Sequence, residues 1–164
     1  MRKDQSGVML LEAMIAILIF SLGILGVVGM QAAAITASAD AKYRTDAAMF
    51  ANDIIGQMMA SDRRIDISGG GAPQLKTDFS GTITTDCSSS TTPFCVWRNR
   101  IAAPGSLPGA AANPPFITVT AGAIDLPALT NIQPDTVSVT VQWQGPKDAV
   151  AHHYTVTTLI AQTN

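Results

Sequence analysis

Glu12 is the only glutamate in the chain; the other eleven acidic residues are all Asp. It sits in QSGVMLLEAMIAILIF, residues 5–20, five positions after Gly7 and inside a strongly apolar run. A carboxylate deep in a bilayer costs on the order of 2.5–3.5 kcal/mol. An ionisable group in such a place therefore marks a functional position, and its partner has to be found. The other residue types able to do chemistry are sparse. Cys87 and Cys95 lie eight apart in a Ser/Thr/Pro-rich loop. In a reducing compartment they stay as thiols, whereas in an exported domain a loop-closing disulfide is expected. His152 and His153 are adjacent on a predicted strand, point to opposite faces and cannot ligate one metal together. Two cysteines alone make no structural zinc site. The chain contains no HExxH, GxSxG, Walker A or CxxC pattern, and its Asp residues are dispersed. These absences argue for a protein that is not an enzyme, with no cofactor and no bound metal.

The elements that carry these residues follow from the charge distribution. The chain has 164 residues, of which 47% are hydrophobic and 13% charged; ordinary domains carry about 25% charged. No charged side chain occurs from Ala13 to Ala39, a span of 27 residues. At ~1.5 Å per residue this is roughly 40 Å of helix, more than the ~30 Å hydrocarbon core requires. A membrane-spanning or filament-core helix is expected. The net charge of -2 offers no basic field for nucleic acid, so no nucleic-acid partner is expected. Lys42, Arg44, Arg63, Arg64, Arg98 and Arg100 are scattered among Asp residues and read as solvated surface.

Three readings compete for the N-terminus. Arg2 and Lys3 before the apolar run orient the first residues to the cytoplasm. A secretory signal cleaved at an A-x-A pattern, with Ala32, Ala33 and Ala34 as the site, fits that much. Its core would be far longer than the usual ~7–15 residues. A plain single-pass anchor, bearing a periplasmic binding domain or enzyme, explains the length and leaves Glu12 unexplained. The third reading starts from the combination itself: a short basic leader MRKDQSG ending in Gly7, then an apolar run with Glu at its fifth residue.

That combination resembles the class III signal of type IV pilins and pseudopilins. The resemblance implies a prepilin peptidase that cuts the Gly7–Val8 bond and N-methylates Val8, which stands where the family more often has Phe or Met. Gly7, with no side chain, lets the backbone enter a narrow cleft. Cleavage would create an α-amino cation on Val8, four residues from Glu12 and on the same helix face. The pair can form within one chain. The family implies a second arrangement, in which Glu12 of an incoming subunit meets the amine of a neighbour and sets axial register. ILGVVGMQ (residues 24–31) and RTDAAMFANDIIGQMMAS (residues 44–61) are similar to the PilV family of type IV pilus minor pilins. The likeness covers about the first 65 residues. It implies a low-abundance subunit of the pilus of a Gram-negative bacterium, acting in assembly initiation and at the tip, and supporting adhesion or twitching motility. Implied partners are the prepilin peptidase, other minor pilins, the major pilin, the inner-membrane assembly platform and membrane lipid. The implied location is the inner membrane, N-terminus cytoplasmic and C-terminal domain periplasmic, and then the pilus at the cell surface. A minor pseudopilin of type II secretion is the alternative, because LLEAMIAILIF is shared between the two.

The predicted organisation is a leader over 1–7, a hydrophobic helix over 8–39 and a periplasmic globular domain over 40–164. The fold class is α+β, type IV pilin-like: a long N-terminal helix packed on a small antiparallel sheet. Gly23, Gly26 and Gly29 recur inside the apolar helix, each costing about 1 kcal/mol relative to Ala. They allow either close helix packing or a zone that loses helicity. Ala47, Phe50, Ala51, Ile54 and Met58 form one apolar stripe, which predicts a helix continuing to about Asp62 before Gly69, Gly70, Gly71 and Pro73. Residues 72–115 read as loop, with a short strand over 80–86. PFITVTAG (115–122) reads as a strand. DTVSVTVQWQG alternates, with Val137, Val139, Val141 and Trp143 on one face. HHYTVTTLIAQ returns after GPKDAVA, with Tyr154, Val156 and Ile160 sharing a face, so the two runs form an antiparallel hairpin.

Overall fold

The computed structural model describes residues 6–61, 65–66, 72–122 and 133–161. The leader residues 1–5, Arg63, Arg64 and the glycine run 69–71 lie outside this set. The architecture is α+β. One long helix, α1 (Ser6–Ala60), opens the chain. It is followed by two short paired strands, β1 (Ile65–Asp66) and β2 (Ala72–Pro73). Two short helices come next, α2 (Gln74–Phe79) and α3 (Pro93–Ala102). A three-stranded antiparallel meander ends the chain: β3 (Phe116–Thr120), β4 (Asp135–Trp143) and β5 (His152–Ile160), in the order β3-β4-β5. The contacts divide the chain into two compact units, Met1–Ala41 and Lys42–Asn164.

In the second unit the predicted stripe is the seam of the core. Ala47, Ala51, Ile54 and Met58 are buried, and Phe50 packs against them. Asp53 and Gln57 lie outside the stripe, joined one turn apart by a 3.2 Å hydrogen bond. The alternation of β4 appears directly in its burial: Val137, Val139, Val141 and Trp143 all face inward. Tyr154, Val156 and Ile160 of β5 join the same core from the adjacent strand. At roughly 1.5–3 kcal/mol per fully buried aliphatic or aromatic side chain, this face holds the sheet to the rest of the unit.

The middle of the chain departs from the expected loop. Thr92 accepts a hydrogen bond from the Cys95 backbone N–H and caps α3, and Pro93 stands in the first helical turn. Phe94, Cys95, Trp97 and Ile101 then fall on one buried face. The indole Nε1–H of Trp97 donates to the Phe50 carbonyl at 2.9 Å, tying α3 to the second half of α1. The expected strand over residues 80–86 is not formed. Gly81 alone pairs with Ile117, through hydrogen bonds of 3.0 and 2.9 Å. The chain then turns, because the Thr85 hydroxyl takes the Thr82 N–H at 2.9 Å, and such side-chain bonds compete with a ladder. The long helix ends at Ala60, ahead of the glycines. From Ala103 to Asn113 the chain runs through successive turns, with Gly109 at φ +69° beside the Gln144 carbonyl.

Candidate functional site: the N-terminal helix

Every side chain from Val8 to Ser38 is exposed in the single chain. The apolar ones cover all sides of the helix, from Val8 at 68% to Ile35 at 71% exposure. A soluble amphipathic helix shows one apolar stripe, whereas a helix apolar all round belongs in lipid or a protein core. This helix is long and apolar enough to cross a membrane. Its hydroxyl groups suit such a setting. Ser21 Oγ donates to the Ile17 carbonyl at 2.7 Å and Thr36 Oγ1 to the Ala32 carbonyl at 3.1 Å. Both are satisfied within the helix, as hydrocarbon demands. Glycines 23, 26 and 29 leave open space: nothing lies within 4 Å of a Cβ added at any of them. The helix nonetheless runs unbroken through them.

Gly7, Val8 and Glu12 all lie in the opening turns of α1. The Gly7–Val8 bond falls in the first turn, where the N–H groups have no intrahelical acceptor. Val8 and Glu12 are one turn apart, about 6 Å along the axis. Both are exposed, and among the described residues no ion pair engages Glu12. The geometry provides a carboxylate on the surface of a helix that is otherwise uncharged from Val8 to Ala39, one turn from Val8.

Cys87 and Cys95 are joined in a disulfide, with Cα atoms 5.1 Å apart. It fastens the segment before α3 to the first turn of that helix. Arg98, expected as solvated surface, is instead half-buried and holds this segment in place. Its guanidinium donates to the Thr85 carbonyl at 2.6 Å and to the Ile83 carbonyl at 3.3 Å. Arg100 pairs with Asp53 and stands 5.7 Å over the Phe50 ring. Asp86 accepts the Ser88 N–H at 2.9 Å. That bond, aided by the Ser88 hydroxyl and the Arg98 charge, lowers its carboxyl below the ordinary 3.8. Asp135, which the periodicity did not single out, is fully buried at the start of β4. It accepts the Gly122 N–H at 2.9 Å, joining the end of β3 to its neighbour. Its position in phase with Val137 and Val139 is the signal that marks it as inward-facing.

The two histidines separate as expected. His152 stacks on Trp143 at 5.7 Å and lies 3.3 Å from the Asp148 carboxylate, while His153 points to solvent. Among the described residues no three His, Cys, Asp or Glu side chains cluster as metal ligands. Comparison with protein-family models, with curated proteins and with solved structures found no match.

Proposed function

We propose that the chain is a type IV pilin-like subunit, a minor pilin of the PilV kind. In this reading it is neither an enzyme nor a cofactor carrier. The observation that carries the reading is the composite at the head of α1. Gly7 precedes a stretch of helix, residues 8–39, that is apolar all round and whose sole carboxylate, Glu12, stands one turn past Val8. The leader is residues 1–7, the anchor 8–39 and the periplasmic domain 40–164. Prepilin peptidase removes the leader at Gly7–Val8 and methylates Val8. Glycine in the first turn holds that stretch in the helix less firmly than alanine would.

The new ammonium at Val8 would crowd the positive end of the helix dipole. Glu12 offsets it, within the chain or across to the next subunit, and each charge relieves the desolvation of the other. Before assembly the chain sits in the inner membrane, with its N-terminus cytoplasmic. The Cys87–Cys95 disulfide suits a domain held in an oxidising periplasm. The chain then joins other minor pilins and the major pilin at the assembly platform. There it takes part in initiating the filament and in its tip, in support of adhesion or twitching.

The test is fractionation in a piliated Gram-negative cell. The mature chain is expected in sheared pili in small amount. Retention of all of it in the membrane, or its recovery with a type II secretion complex, would overturn the pilus assignment.

A further inference from the structure

Among the described residues, strand β5 is an open edge built in a way that monomeric proteins avoid. Exposed edges are ordinarily blunted by charge, proline, bulges, short length or a covering segment. β5 is nine residues long and pairs with β4 in one unbroken register from Trp143↔His152 to Asp135↔Ile160. It therefore has no bulge. β5 itself contains no Lys, Arg, Asp, Glu or Pro. Among the described residues no segment hydrogen-bonds to its outer side. The opposite edge is handled differently. β3 has five residues, and Gly81 pairs with Ile117 on its outer side.

We infer that β5 pairs with β5 of a second copy, antiparallel about a two-fold axis at Val156, joining the two three-stranded sheets into one. The sequence around that point is self-complementary. The triplet Thr-Val-Thr at 155–157 reads the same in both directions, so Thr155 of each copy stands opposite Thr157 of the other. Such cross-strand threonine pairs are favourable. On the same exposed face His153 stands opposite Leu159, which is 62% exposed in the single chain. An isologous contact puts each residue against its symmetry mate's partner, so a charged edge would risk setting like charges together. An uncharged edge has no such penalty. The inference rests on the sheet alone and stands apart from the pilus reading.

The test uses the full chain in lipid vesicles. Thr155→Cys and Thr157→Cys copies are mixed and oxidised, and linked peptides are mapped. The mixed 155–157 cross-link is expected to exceed either self cross-link severalfold. His153→Lys with Leu159→Lys in every copy sets two like-charge pairs across the axis and should reduce the yield about tenfold. His153→Glu with Leu159→Lys sets opposite charges there and should restore it, which separates lost pairing from lost folding. The inference is overturned by equal yields in all mixtures, by a yield indifferent to these charges, or by cross-linking only to a different polypeptide.

Discussion

At the residue scale, the proposed processing and assembly rest on two positions of unequal kind. Gly7 would act through what it lacks. Gly7→Val would place a branched side chain where the backbone must enter a cleft, and it would stiffen the stretch of chain to be cut. Unprocessed, full-length protein is expected on immunoblot; efficient maturation of this variant would count against peptidase recognition. Glu12 would act through its charge. Glu12→Val should leave processing largely intact, since the residue lies past the scissile bond, while incorporation into pili is lost. Normal recovery of Glu12→Val in sheared filaments would remove the pairing role. A third residue matters for the fold alone. A Cβ on Gly81 would overlap the Phe94 ring, while the Gly81 backbone is fixed by its two bonds to Ile117. Gly81→Ala should therefore destabilise the second unit by about 1–3 kcal/mol, the usual cost of overpacking. Thermal unfolding followed by Trp fluorescence would measure it.

At the scale of elements, the sequence is most informative where periodicity is longest. The stripe from Ala47 to Met58 and the alternation from Val137 to Trp143 each repeat four or more times, and both match the burial found. The region between them is harder to read. Its Ser, Thr, Gly and Pro content suggests loop, but Thr92 and Pro93 are a helix-start signature, and Phe94, Trp97 and Ile101 follow at helical spacing. A helix of ten residues gives few repeats for a pattern to show. The threonines of 82–85 mislead in the other direction. Threonine favours strands, yet here their hydroxyls close a turn. The role of Arg98 is hidden for a different reason: its acceptors are backbone carbonyls, which no sequence pattern displays. The Cys87–Cys95 bond shares this segment with Arg98. Replacing both cysteines with serine should cost roughly 2–3 kcal/mol on the chain-entropy view. The loss should appear as earlier chemical unfolding of the second unit; an unchanged midpoint would mean that Arg98 and the Thr92 cap suffice to hold the segment.

At the scale of the whole molecule, two units with opposite solvent preferences are joined in one chain. The first offers apolar side chains on every side and almost no charge, which suits lipid or a filament core. The second has an ordinary buried core, a disulfide and a polar surface. Composition alone makes this division readable, because the uncharged span ends at Ala39. The α+β layout is equally legible. The part that neither periodicity nor composition can supply is the counter-charge for Glu12. In the proposed function it comes from a covalent cut at Gly7–Val8, which no pattern of residues displays.

The most direct measurement is intact-mass and N-terminal peptide spectrometry of the protein purified from a cell with a working prepilin peptidase. A chain that begins at Val8 and carries one methyl group on its α-amine is expected. A chain that still begins at Met1, or one cut near Ala34, would contradict it.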